Sequence, residues 1–281
     1  MQALHGLVYG MLLFLVASGL TLIFGMMGVL NFAHGALYML GAYFSFTILG
    51  LTGQFWLSLI IAPFLVGGIG VFLERFLLRR VHKYGHANEL LLTFGFAYII
   101  EELVKWVWGN EPLYVELPKI LAGSVNLLGI TYPTYRLFII ITSLAVFAIL
   151  FLIFHKTRAG IIVTAAVSNV EMVNALGINV PLVFMALFGV GSALAGLAGV
   201  IGGPYLITNP AMAATIIIDL FVVVVVGGLG SIQGALLASF LIGELQSFGI
   251  LFIPQIAIAL EFLLMAVVLI VKPEGLLGEK A

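Results

Sequence analysis

The chain has 281 residues, of which 63% are hydrophobic and 8% charged, with a net charge of −1 and a mean hydropathy of +1.27. A soluble domain carries about 25% charged residues, so this composition excludes a water-soluble globular domain and makes lipid the solvent. The near-zero net charge offers nucleic acid no basic face, and the absence of Cys removes disulfides, thiol catalysis and Cys-ligated metals.

A bilayer core takes roughly 20 apolar residues per helix. Runs of that kind lie at about 6–26, 29–50, 55–77, 87–108, 136–155, 181–203, 211–227, 231–251 and 254–271. They predict an all-α polytopic bundle of eight or nine transmembrane helices with broken or re-entrant segments, forming one domain over 1–281. The first run has no basic stretch ahead of it and is followed by further spans. It is read as a retained helix, not a cleaved leader.

The second run, "GVLNFAHGALYMLGAYFSF", places Asn31 and His34 among apolar and small residues. Gly28, Gly35 and Gly41 permit close packing or a local break. Asn31 and His34 then either line a route through the bundle or pin two helices by hydrogen bonds. Arg75, Arg79, Arg80 and Lys83 follow the third run, Lys156 and Arg158 the fifth, and Lys272 and Lys280 the last. An even number of spans separates successive clusters, so all three fit one side, the cytoplasm. A nine-span count then puts Met1 outside, and an eight-span count puts it inside.

The fourth run carries Glu101, Glu102 and Lys105 beside Trp106 and Trp108. Glu101 and Lys105 have the favourable i,i+4 order, and the tryptophans suit an interfacial anchor. The segment 109–135, with its prolines and tyrosines, reads as an ordered external loop. Between the fifth and sixth runs, "SNVEMVNALGINVP" predicts a helix of about two turns over Asn169–Leu176. Ser168 and Glu171 have capping-box spacing, Gly177 suits a left-handed stop, and Pro181 can open the next helix. So short a helix must be held by packing. It is either an ordinary connection or a docking helix for a cytoplasmic partner.

The sixth run repeats small residues at Gly191, Ala195, Gly199 and Gly203, a stripe for close helix packing in lipid. "VVVVVGGLGSIQGAL" sets Gly227, Gly228 and Gly230 after five valines. Such a break is either a re-entrant segment beside a wet cavity or a tight turn between helices. "GALYMLGAYF" at Gly35 and "GALLASFLIG" at Gly234 are alike enough to raise an internal duplication. Asp219, Glu244 and Glu261 fall inside apolar runs, where ionisable groups face protein or water. No lysine follows a glycine, so there is no phosphate-binding loop. The histidines lack metal-ligand spacing, and no catalytic constellation is present.

Several stretches taken together resemble the membrane permeases of ABC importers for branched-chain amino acids, a family that includes permeases for urea and other small organic acids and amides. They are "LTLIFGMMGVLNFAHGALYMLGAY", "LLLTFGFAYIIEELVKWVWGNEP", "ALGIN", "VVVVVGGLGSIQGALLASFLIGELQ" and "KPEGLLG". The chain is similar to the shorter of the two permeases in such systems. The resemblance implies a non-enzymatic subunit of a multi-pass inner-membrane importer with no cofactor. Its partners would be cytoplasmic ATPase subunits, a second and related permease, and an external solute-binding protein.

By the same resemblance, the coupling helix to the ATPase is Asn169, Glu171, Met172, Asn174, Ala175, Leu176 and Gly177. The pathway candidates are Asn31, His34, Gly35, Gly227, Gly228, Gly230 and Glu244. Thr164 stands where the family often has Arg, and Glu101 and Glu102 where it more often has uncharged or single polar residues. Branched-chain amino acids are the leading cargo, with urea, short amides and aromatic acids as alternatives. A self-sufficient secondary transporter or channel, and an integral membrane enzyme, are the rival classes.

Overall fold

The computed structural model describes residues 1–28, 30–127 and 129–278. Its helices are α1 (Gln2–Met27), α2 (His34–Thr52), α3 (Phe55–Phe72), α4 (Arg79–Val81), α5 (His86–Trp108), α6 (Thr134–Lys156), α7 (Arg158–Ser168), α8 (Val170–Ala175), α9 (Val180–Gly202), α10 (Met212–Gly227), α11 (Ile232–Phe252) and α12 (Ala257–Val271). Between α3 and α4 the rod continues through a π-helical stretch, Leu73–Leu78. Seven helical segments are long and apolar enough to cross a membrane. The 16-residue α10 and α5, which carries Glu89, Glu101, Glu102 and Lys105, bring the total to nine. Each apolar run of the sequence therefore corresponds to a helix.

Contacts between helix ends order the bundle. At one end, the Tyr132 hydroxyl donates to the Leu4 carbonyl at 2.9 Å and that of Tyr135 to Ile201 at 2.8 Å. The Gln2 amide donates to Ser247 at 2.8 Å. At the opposite end, Gly25 meets Gly230, and Arg79 reaches Pro181. Successive long helices thus alternate in direction, and all three basic clusters gather with α7 and α8 at one end. Gln2 and the 109–133 segment lie at the other, as the nine-span count requires. Lys280 lies outside the described residues.

The central helix is α1, which is apolar all round, as a helix enclosed on every side must be. Leu12 to Ala17 are fully buried. It packs against α11, α9, α6 and α10, while α9 packs in turn against α2 and α3. Phe64, Trp106 and Ile270 are 76%, 84% and 82% exposed and face outward from α3, α5 and α12, where lipid is the neighbour.

Glycines set how closely these helices approach. A Cβ on Gly19 would collide with the Gly191 carbonyl, on Gly41 with that of Gly196, and on Gly199 with that of Tyr38. Gly191 and Gly199 of the stripe therefore lie on the face of α9 that meets α1 and α2, whereas Gly203, just past the helix end, meets Val115 of the external segment; Gly189 and Gly196 turn to Val71 and Val66 of α3. Without water to drive apolar association, such contact supplies the adhesion.

Three local features go beyond or against the sequence reading. The external segment contains a hairpin, β1 (Ser124–Leu127) antiparallel to β2 (Ile130–Pro133), and Leu113 bridges Thr208. The stretch after Lys156 is an 11-residue helix, α7, capped by the Thr157 hydroxyl. The expected capping box at Ser168 and Glu171 does not form. The Ser168 hydroxyl donates back to Thr164 at 3.0 Å and belongs to α7. The chain breaks one residue later, at Asn169, whose side chain accepts from the Met172 amide at 2.8 Å.

Gly199→Leu should therefore destabilise the detergent-solubilised protein by about 1–3 kcal/mol or more through overpacking. Gly68→Leu, at an exposed position with open space around it, should leave the melting temperature unchanged. Thermal unfolding of the two variants checks this.

Candidate functional site

The polar residues of the second run sit where α1, α2, α9 and α10 meet. α1 ends at Gly28, whose φ of +64° gives a left-handed stop and whose amide bonds Phe24 at 2.8 Å. Residues 30–33 then turn back into the bundle. The Asn31 side chain accepts from the Ala33 amide at 3.1 Å, and the Phe32 amide donates to the Thr93 hydroxyl of α5 at 3.3 Å. α2 thus starts beside the middle of α1. His34 Nε2 donates to the Val16 carbonyl at 3.0 Å, which places a proton on Nε2.

Asn31 and His34 are 1% and 0% exposed, and Gly35 lies against the Ala213 carbonyl of α10. Asn31 Nδ2 and His34 Nδ1 have no partner within the described residues. The geometry makes His34 a cross-helix pin that holds the re-entrant segment to α1. Neither residue lines an open route in this conformation.

The remaining pathway candidates do not join them. Gly228 and Gly230, with φ of +102° and +86°, form a tight turn from α10 to α11. Gly230 rests on Gly25, and Gly227 on Gly234. The tail "KPEGLLG" closes over this turn: the Leu276 and Leu277 amides donate to the Val226 and Gly227 carbonyls at 2.8 and 3.0 Å. Of the two readings of this glycine cluster, the structure has the tight turn. Glu244 lies elsewhere, on the seam where α11 meets Gly6 of α1. Tyr9 donates to Asp219 at 2.6 Å, joining α1 to α10, and Glu261 of α12 is 2% exposed. Lys105 pairs with both Glu101 and Glu102 at 2.8 Å on outward-facing α5.

At the non-basic end, a cavity of ≈ 230 Å³ is lined by Gln2, His5, Tyr9, Tyr205, Gln246 and Ser247. Beside it Arg136 contacts His5 and lies over the rings of Tyr132 and Tyr205. Burial pushes the Tyr205 phenol up, with Arg136 acting in the opposite direction.

At the basic end, every residue from Asn169 to Gly177 except Val173 is exposed. Val173 inserts into an apolar cluster with Ala166 of α7 and Val180 of α9. Gly177 has φ of +83°, and Asn179 caps α9 by accepting from Leu182 at 3.1 Å. The result is a short peg, bolted to α7 and α9, that presents Val170, Met172 and Leu176 to solvent at 41%, 59% and 73% exposure. Two carboxylates that attracted no notice in the sequence lie near this end. Glu74 bonds Arg79, and Glu89 bonds His82 and His86. Both are buried at 2% exposure or less. They fall at the ends of the runs 55–77 and 87–108, among basic residues, and only the fold shows them enclosed.

Removing the pin tests this account of the re-entrant segment. His34→Leu should cost about 0.5–1.5 kcal/mol, the net worth of one hydrogen bond, and His34→Gln, which retains a donor, should recover most of it. Melting temperatures of the two variants decide.

Residues 2–272 match the family model described as the permease component of the branched-chain amino acid transport system. The chain is 30% identical over 295 residues to the high-affinity branched-chain amino acid transport system permease protein BraD of Pseudomonas aeruginosa, with 99% of this chain and 95% of that protein covered. It is 29% identical to the Escherichia coli K12 permease protein LivH, covering 99% and 94%. To a probable LivH of Methanocaldococcus jannaschii it is 28% identical, covering 97% and 90%. No solved structure matches the chain. With the match running almost from end to end of a multi-helix membrane bundle, the chain belongs to the permease component family of branched-chain amino acid transport systems.

Proposed function

We propose that the chain is one of two permease subunits of an ATP-driven importer in a bacterial-type inner membrane, and that its cargo is branched-chain amino acids. The observation that carries this reading is the α8 peg. Val170, Met172 and Leu176 form an exposed apolar set on a helix too short to stand alone. At the same end of the bundle lie the exposed cations Arg75, Arg80, Lys83, Lys156, Arg158 and Lys272. Cations at membrane-proximal ends mark the cytoplasmic side, so the peg faces the compartment that holds ATP. An exposed apolar patch at this end is what a groove in an ATPase subunit can grip.

Asn169, Glu171, Met172, Asn174, Ala175, Leu176 and Gly177 form the coupling surface, with Met172 and Leu176 as its apolar contacts. The ATPase hydrolyses ATP; this chain converts the resulting movement into alternating access. A second, related permease completes the path, and an external binding protein delivers the solute at the Gln2 end. His34 and the Tyr9–Asp219 pair are engaged in helix-to-helix bonds, which supports placing most of the selectivity in the binding protein. The names of the relatives support branched-chain amino acids over urea, short amides or aromatic acids as cargo.

Replacing Met172 and Leu176 together by Glu should weaken ATPase co-purification by at least about tenfold, as expected when apolar hot-spot contacts are lost. Membrane insertion and the melting temperature should be unchanged. In proteoliposomes, branched-chain amino acid uptake should need ATP, the ATPases, both permeases and the binding protein. Uptake by this chain alone, driven by an ion gradient, would establish a secondary transporter instead.

A further inference from the structure

Arg79 joins three elements at the basic end. Its Nε and Nη2 donate to Glu74 Oε1 at 3.3 and 3.2 Å, and Nη2 also donates to Glu74 Oε2 at 3.0 Å. The same Nη2 donates to the Pro181 carbonyl at 2.8 Å. Glu74 is 2% exposed, and among the described residues Arg79 is the side chain that hydrogen-bonds it. Pro181 is in the first turn of α9, immediately after the peg.

The π-helical stretch makes this arrangement possible. In an α-helix, residues five apart are rotated by about 140° around the axis, because each step turns about 100°. Glu74 and Arg79 would then point in different directions. Over Leu73–Leu78 the backbone is π-helical, and the Arg79 amide bonds the Glu74 carbonyl, five residues back. That pairing sets residues five apart one above the other. The guanidinium therefore lies over its carboxylate with a donor left to reach α9. Returning the segment to α-helical register would swing Arg79 away from both partners.

We propose that Arg79 is a positioning residue for transport: held by Glu74, it clamps the first turn of α9, and with it the α8 peg, to the inner end of α3. This rests on reading α8 as the ATPase-docking element. The peg and the first turn of α9 move together. The Val180 amide bonds the Asn174 side chain at 3.4 Å, the Ile178 amide bonds Val173 at 3.3 Å, and Val173 and Val180 share one apolar cluster. Deeper in the bundle, α3 and α9 interlock through Gly67 against Gly189, Gly70 against Ser192 and Gly196 against Val66. The clamp adds a fixed point at the inner end, so that a push on the peg moves α3 with α9. Without it, the inner third of α3 lags behind.

The complex reconstituted with its ATPases, partner permease and binding protein tests this, with solute taken up per ATP hydrolysed as the readout. Arg79→Gln should lower that ratio by at least about fivefold, because the bridging guanidinium is lost. Arg79→Lys keeps a cation beside Glu74 but lacks the fork that spans two acceptors, so the ratio should stay low while the protein remains folded. The double variant Glu74→Gln/Arg79→Gln leaves no unpaired buried charge and should also stay low. ATPase co-purification should match the unsubstituted protein in all three variants.

A normal ratio in Arg79→Lys, or recovery in the double variant, would overturn the clamp by reducing Arg79 to a neutraliser of Glu74. Loss of co-purification with the peg intact would overturn it too, by making Arg79 a docking residue. A failure of the docking reading appears separately, as undiminished ATPase binding when Met172 and Leu176 are Glu.

Discussion

Everything in this molecule depends on backbone-to-backbone contact between helices. Lipid tails are as apolar as leucine side chains, so helices gain nothing by hiding apolar surface from them. Adhesion has to come from close approach, and close approach needs a missing Cβ. Gly19 against Gly191, Gly41 against Gly196, Gly199 against Tyr38, and Gly10 against Ser239 supply it on successive faces of α1 and α9. These seams place α1 at the centre with α9 and α11 on either side, and the re-entrant segment occupies the space they leave.

The same constraint governs the polar groups. Lipid offers no hydrogen bonds, so each buried donor or acceptor needs a partner from another helix or from its own turn. Ser143 bonds the Met11 carbonyl, Tyr135 bonds Ile201, Ser45 meets Ser58, and His34 bonds Val16. Cross-helix bonds of this kind in membranes average about 0.6 kcal/mol each. They add little to stability but fix register, which glycine seams alone would leave free to slide. The pin at His34 matters most in this respect, because residues 30–33 are not helical and have no ladder of their own.

The fold was largely legible in the sequence because apolar run length is a strong signal in lipid, and all nine runs became helices. The Gly191–Gly199 part of the stripe was legible as a packing face because its four-residue period survives whatever the partner is, whereas Gly203 falls past the end of α9 and meets Val115. Other features were hidden for identifiable reasons. α7 is short and amphipathic and followed a basic pair, so it merged with the loop around it. The capping assignment erred by one residue because Ser168 and Asn169 are both good caps, and only the end of α7 decides between them. The glycines at 227–230 fit a broken helix and a tight turn equally well until Gly25 and Gly275 are seen packed on them. Glu74 was invisible because its partner lies five residues away, a spacing that is silent in an α-helix and speaks only in a π-helix.

The peg raises a mechanical question that its length answers. Six residues cannot form a stable helix in water, so α8 owes its shape to the Asn169 cap, the Asn174 bond to Val180 and the insertion of Val173 between α7 and α9. The last two of these ties are to elements that continue toward the membrane. A force on the exposed face of α8 therefore meets no independent unit that could rock or melt on its own. It must either break those ties, exposing Val173 and Val180 to water, or move the first turn of α9. Val180 to Val183 precede the glycine seams, the first of which engages Gly189, so at this end α9 is tied to the inner end of α3 by the Arg79 bond to Pro181.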